Sequence, residues 1–95
     1  MTRSPPDPAH TKAAAKNYVY IIQSVAEPDR FYTGLCSDLR ARLSQHNAGQ
    51  SPHTSKYKPW RLISPHWFEN ERTAAAFERY LKSGSGRAFA GKRLR

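Results

Sequence analysis

The sequence predicts an α+β fold, a three-stranded antiparallel β-sheet flanked by helices in the order β-β-α-β-α. Three observations carry that prediction. Tyr18-Val19-Tyr20-Ile21-Ile22 is a β-branched and aromatic run, apolar on both faces as a central strand is. A second such run, Arg30 to Leu35, follows across Glu27-Pro28-Asp29, a turn short enough to make the pair an antiparallel hairpin. Residues that cap helices then precede two further segments, Ser37 or Asp38 before the first and Asn70 before the second.

Taken in chain order, residues 1–16 hold three of the seven prolines and no aromatic or branched aliphatic side chain. Such a segment cannot bury enough to offset chain entropy, so it reads as a disordered tail, with a single domain over 17–95. Within the second strand Gly34 points to a bulge or to a place where something approaches the backbone. The first helix runs to about Asn47, with Leu39 and Leu43 as its buried stripe and Gly49 as its stop. Residues 50–59 form a polar, basic loop. Trp60 to Ser64, with Trp67-Phe68 beyond, is the third strand, and Pro65 argues for a bulge or an edge position. The last long helix spans Glu71 to about Lys82 and ends at Ser83-Gly84-Ser85-Gly86. The basic stretch Arg87 to Arg95 has room for one or two further helical turns.

Composition narrows the function classes. The 95 residues carry sixteen Lys and Arg against seven Asp and Glu, a net charge of +9 and a sequence pI of about 10.2. Residues 1–16 hold three of those cations and one acid, so 17–95 keeps +7 and the basic signal belongs to the domain. Surplus charge of this size favours a polyanionic partner, nucleic acid first and an anionic membrane second. The lone Cys36 excludes an internal disulfide and a multi-cysteine zinc site. No apolar run approaches the ~20 residues that span a bilayer. With no signal-like apolar segment at the start, a cytoplasmic setting is expected.

Several residues stand out chemically. The apolar face of the last long helix reads Ala74, Phe77, Leu81, and Glu78 falls within that stripe. A carboxylate there needs either a basic partner or a bound cation, and the ion pair is the commoner outcome. Arg42 and His46 are four residues apart and share a helix face. They suit a phosphate grip and a proton shuttle, but an ordinary solvated face including Arg40 and Gln45 is the reading the pattern alone favours. Tyr18, Tyr20 and Tyr32 read first as packing, yet Tyr20 and Tyr32 can meet near the hairpin centre. Cys36 reads as a small buried thiol. His10, His53 and His66 lack ligand spacing.

At this point the residues resemble a known family. Tyr18-Val19-Tyr20, followed after eleven residues by Tyr32-Thr33-Gly34, resembles the paired motif of the GIY-YIG nuclease domain. Asp38-Leu39-Arg40-Ala41-Arg42-Leu43 with His46-Asn47 resembles that family's first helix, and the Ala-rich helix bearing Glu78 its metal-binding helix. The likeness runs from about Asn17 to Leu94 and is greatest to the small stand-alone, single-domain bacterial members. It implies the α+β sheet already read and hydrolysis of a phosphodiester bond with one divalent metal, Mg²⁺ or Mn²⁺. By the same resemblance Tyr20 and Tyr32 are the motif tyrosines, Arg42 the catalytic arginine, His46 the helix histidine and Glu78 the metal ligand. Tyr18 replaces the motif glycine, Thr33 the isoleucine and Leu35 a lysine found in some relatives. Residues 84–91 offer no counterpart to an asparagine that several members carry.

The resemblance therefore implies a metal-dependent endonuclease acting on nucleic acid, DNA ahead of RNA, with one tyrosine as the base. The competing readings are a non-catalytic nucleic-acid-binding module and an interaction protein whose charge is incidental. Lys56, Lys58, Arg87, Lys92 and Arg93 are the candidate nucleic-acid contacts, and Tyr57 could approach from the loop. A monomer or weak dimer with no membrane association is expected, with little sequence preference or with a partner protein that supplies targeting.

Overall fold

The computed structural model describes residues 14–95; the tail expected over 1–16 falls, for residues 1–13, outside the described residues. The elements are β1 (Tyr18–Ser24), β2 (Phe31–Cys36), α1 (Leu39–Asn47), a 3-10 turn (Ser55–Tyr57), β3 (Trp60–Trp67), α2 (Glu71–Lys82) and α3 (Gly84–Arg93). The sheet order is β2-β1-β3, antiparallel throughout.

The unbroken apolar run is central for the reason the sequence suggests. Val19, Tyr20, Ile21 and Ile22 are all at most 2% exposed, because both faces of β1 are covered. Val19 and Ile21 pack with Ala74 and Leu81 of α2 and Ala90 of α3. Tyr20 and Ile22 pack with Cys36 and Trp60, and Leu39 and Leu43 of α1 close over them. The sheet is thus the middle of three layers. Burying each isoleucine contributes about 1.5–3 kcal/mol before chain entropy is counted.

Asn17 ties the two ends of the central pairing together. Its side-chain amide donates to the Phe68 and Glu69 carbonyls at 2.8 and 3.0 Å, and its own carbonyl accepts from the Phe68 N–H. Glu27 to Arg30 is a turn closed by Arg30 N–H to Glu27 O at 2.9 Å. β3 is an edge strand, where Pro65 is tolerated, and Ile63 bulges out between partners of Ile21 and Ile22. Asp38 caps α1 through Ala41 N–H, and Gly49 stops it with φ 77°. Asn70 caps α2 through Arg72 and Thr73 N–H. Among the described residues no helix is long and apolar enough to cross a membrane.

Two expectations need correction. The buried residue of α1 is His46, while Leu39 and Leu43 are only half-buried. Ser83 to Gly86 does not end the helical structure; the break is one residue wide, and α3 runs ten residues to Arg93. Ser83 both ends α2 and caps α3, its hydroxyl accepting from Gly86 N–H at 3.2 Å. Gly86 is required by close approach rather than by flexibility: a Cβ there would sit inside the Tyr80 carbonyl and 2.7 Å from Leu81 Cα. Gly91 faces open space. Gly86→Ala should therefore cost about 3 kcal/mol or more, because the obstacle is backbone. Gly91→Ala should gain up to about 1 kcal/mol from helix propensity. Urea unfolding of the two variants checks the contrast.

Candidate active site

Tyr20 and Gly34 are opposed in the β1–β2 register. The Tyr20 ring lies directly over the glycine: a Cβ at 34 would come 2.8 Å from Cε1 and closer still to Cζ and Oη. The approach to the backbone that Gly34 suggested is therefore made by the first-motif tyrosine, and the β1–β2 register runs through without a bulge. Lying across β2 in this way, the phenol reaches α1.

There the hydroxyl meets the two residues that helical spacing places on one face. Tyr20 Oη is 2.9 Å from His46 Nε2, and Arg42 Nε–H donates to it at 3.3 Å. His46 Nδ1 is 2.7 Å from Thr54 Oγ1, and the Thr54 hydroxyl is 3.5 Å from the Ser51 carbonyl. One arrangement of protons satisfies every group. Thr54 donates to Ser51, His46 Nδ1–H donates to Thr54, and the Nε2 lone pair accepts the Tyr20 proton. The Tyr32 ring completes the cluster, 5.2 Å from the His46 ring and 6.4 Å from that of Tyr20. Arg42 also donates from Nη1 to Gln45 Oε1 at 2.8 Å. The solvated-face reading of Arg42 and His46 fails, since His46 is completely buried. Arg40, by contrast, is exposed.

Burial sets the charge states. It pushes the Tyr20 phenol up to about 12, with the Arg42 hydrogen bond opposing the rise. It lowers the His46 imidazole to about 4, and the neighbouring Arg42 charge adds to the fall. The hydrogen bond to Tyr20 in turn raises Arg42. At neutral pH the cluster is a protonated phenol bonded to a neutral imidazole beside a fixed guanidinium. The phenol keeps its proton and has an acceptor in line.

Glu78 occupies the stripe on α2 as its spacing indicates, with its side chain 17% exposed. Lys82, one turn on, holds its Oε2 at 2.7 Å, so the paired reading is realised. Lys82 Nζ also lies 5.6 Å from the Tyr32 ring centroid, which brings the ion pair to the margin of the cluster. Among the described residues no three His, Cys, Asp or Glu side chains gather as a metal cage. A single hard carboxylate suits Mg²⁺, which keeps several waters and takes phosphate oxygens, and suits zinc poorly. His10 lies outside the described residues, His53 is exposed, and His66 is bonded to Ser64 Oγ at 2.7 Å.

The candidate nucleic-acid contacts divide between the layers. Lys56 and Lys58 are exposed at the 3-10 turn beyond α1, whereas Arg87, Lys92 and Arg93 are exposed on α3, across the sheet. Tyr57 is half-buried against Trp60 with the Arg30 guanidinium 4.7 Å over its ring, so it is a packing residue. Cys36 is the buried thiol expected, pushed up to about 11 by burial.

Thr54 was missed by sequence reading. It is fully buried inside a polar loop, anchored where Trp60 Nε1–H donates to its carbonyl at 2.8 Å. Asn47 anchors the same Trp60, accepting its N–H at 2.6 Å. Neither role leaves a periodic trace. Lys82 was legible only as a favourable i,i+4 partner of Glu78.

The described residues thus form a three-layer α+β domain in which Arg42, Tyr20 and His46 make one hydrogen-bonded chain on the α1 side of the sheet. The chain belongs to the GIY-YIG family, a family of nucleases: residues 16–92 match the GIY-YIG catalytic domain. It is 36% identical over 67 residues to UPF0213 protein CPE1444 of Clostridium perfringens, covering 70% of each chain. It is 31% identical over 74 residues to a UPF0213 protein of Streptococcus pyogenes serotype M3, covering 77% of this chain and 78% of the relative. A UPF0213 protein of Staphylococcus haemolyticus is 32% identical over 72 residues, covering 75% and 85%. No solved structure matches the chain.

The depressed His46 has a consequence for stability. Between pH 6.5 and about 4 the unfolded chain binds a proton at this residue and the folded one does not, so stability falls as the pH falls through that window. The loss at this site should reach as much as about 3 kcal/mol and level off below pH 4. His46→Gln should be less stable at pH 7 yet lack this component. Urea unfolding at intervals from pH 7 to 4 provides the comparison.

Proposed function

We propose that the protein is a metal-dependent endonuclease that hydrolyses phosphodiester bonds in nucleic acid, DNA ahead of RNA. The observation that supports this best is the chain from Arg42 through Tyr20 to His46, buried at one end and open at the other. A water attacking phosphorus gives a proton to Tyr20 Oη as the phenol passes its own to His46 Nε2. The imidazolium that results keeps its bond to Thr54 and is stabilised by the negative charge then building on the phosphate. The P–O bond to the leaving 3′ oxygen breaks, and that oxygen takes a proton from solvent.

Arg42 spends Nε–H on Tyr20 and one Nη1–H on Gln45, so guanidinium donors are left for the non-bridging oxygens. Glu78 is the residue that would hold Mg²⁺ or Mn²⁺, once Lys82 swings away. Such a cation supplies charge neutralisation at the phosphate and leaving oxygens. Tyr32, between the imidazole and Lys82, orders the attacking water or holds a phosphate oxygen. Lys56, Lys58, Arg87, Lys92 and Arg93 contact phosphates of the flanking strand. A non-catalytic binding module is the second reading, and the Glu78–Lys82 pair favours it, because the carboxylate is already neutralised.

Incubation with labelled single-stranded, duplex and branched DNA and with RNA, in Mg²⁺, Mn²⁺ or EDTA, separates the two. Cleavage in metal alone is expected; binding without cleavage in every metal would establish the second reading. Glu78→Gln should abolish cleavage and weaken Mn²⁺ binding by calorimetry, with affinity for DNA in EDTA nearly unchanged. Arg42→Ala should lower the cleavage rate at least ~10²-fold and leave Mn²⁺ binding in place. Equal Mn²⁺ affinity in wild type and Glu78→Gln would remove Glu78 from the metal site.

A further inference from the structure

A cavity of about 260 Å³ opens between β2 and the α2–α3 pair, on the sheet face opposite α1. Tyr32, Lys82, Arg87 and Arg95 line it over an apolar floor that includes Phe31 and Leu81, and none of its lining side chains is acidic. Arg87 and Arg95 line this one concavity, with Lys82, paired to Glu78, at its rim, and an anion in it is attracted by both arginines.

The two arginines are held on ordered backbone. Arg87 sits in the first turn of α3 with its N–H on Ser83 O at 2.9 Å. Arg95 is bonded through its N–H to Ala90 O at 3.0 Å, and its guanidinium lies 4.5 Å over the Phe31 ring. Stacking there leaves the guanidinium edge for an oxyanion. Lys82 is shared with Glu78, so the cavity borders the candidate active site, and Tyr32 lies between the cavity and the His46 cluster. The volume is below that usual for a drug-sized ligand and suits a phosphate with its sugar.

We propose that this cavity is a phosphate subsite for the nucleic-acid strand, distinct from the phosphate faced by Arg42 and bound by Arg87 and Arg95. The proposal rests on the reading of the protein as one that acts on nucleic acid. The strand passes over the open edge of β2, with one phosphate on the α1 side and another in the cavity. The phosphate is either an internal diester or a strand-terminal group, since both present the same oxyanion.

The test is binding of a short labelled single-stranded oligodeoxynucleotide in EDTA over a range of salt, with and without a 5′-phosphate. Arg87→Gln with Arg95→Gln removes the cavity charges, and Arg40→Gln with Arg72→Gln removes the same charge elsewhere on the surface. The cavity pair should lower the slope of log K against log salt by about one relative to the control pair. Arg87→Lys with Arg95→Lys should restore most of it, which separates charge from folding. A 5′-phosphate that tightens wild type and not the cavity pair assigns a strand end; no such gain assigns an internal diester. Equal slopes in the cavity and control pairs would overturn the subsite and leave the proposed activity standing. Absence of any salt-dependent binding by wild type would overturn the nucleic-acid reading itself.

Discussion

The phenol of Tyr20 can lie across β2 only because residue 34 has no side chain. That contact decides where everything else in the cluster stands. It turns the hydroxyl toward α1, where an i,i+4 pair presents Arg42 on one side and His46 on the other. It also fixes His46 in the core, since a buried imidazole needs partners for both nitrogens and finds them in Tyr20 and Thr54. The loop after α1 must then fold inward to deliver Thr54, and Trp60 and Asn47 hold it there. A glycine in an edge strand thereby organises a helix and a loop that follow it in sequence.

The same burial that orders these groups sets their chemistry. A low dielectric penalises charge on both members of the pair, so the phenol rises to about 12 while the imidazole falls to about 4. The resting state is neutral on both, and Arg42 is the charge between the cluster and solvent. Arg42 pulls the two in opposite senses: it favours the ionised phenol through its hydrogen bond and disfavours the protonated imidazole by repulsion. Proton transfer from Tyr20 to His46 is uphill in the resting protein because burial penalises the charge it would create on each group.

Elements whose stability comes from an apolar pattern or a cap were legible in the sequence, and elements imposed by tertiary contact were not. The Tyr18–Ile22 run announced a central strand because both its faces are covered. Asp38 and Asn70 announced helix starts because their side chains satisfy the first free N–H groups. Ser83 to Gly86 carried low helix propensity and read as a stop, yet α3 forms because Gly86 lets it settle on the Tyr80 carbonyl. His46 and Thr54 were invisible as core residues, since a polar side chain buried through hydrogen bonds leaves no apolar period. Arg42 and Glu78 could be picked out, one by its helix face and one by its misplaced charge; their grouping depended on the motif resemblance rather than on periodicity.

The acids of the folded chain are largely committed to local tasks. Glu27 faces Arg30 at 3.9 Å, Asp38 caps α1, Glu71 accepts the Lys16 N–H, and Glu78 holds Lys82. The +7 of residues 17–95 is carried by cations on both faces of the sheet. On the proposed reading, affinity for a polyanion is a property of the whole surface, strongest at low salt and without direction. Direction comes where cations are fixed by other contacts, among them Arg42 by Tyr20 and Gln45 and Arg95 by Phe31. These positions flank β2, whose outer edge is unpaired, and the path between them crosses Tyr32. In the proposed function diffuse charge gathers the strand, and the ordered arginines place it.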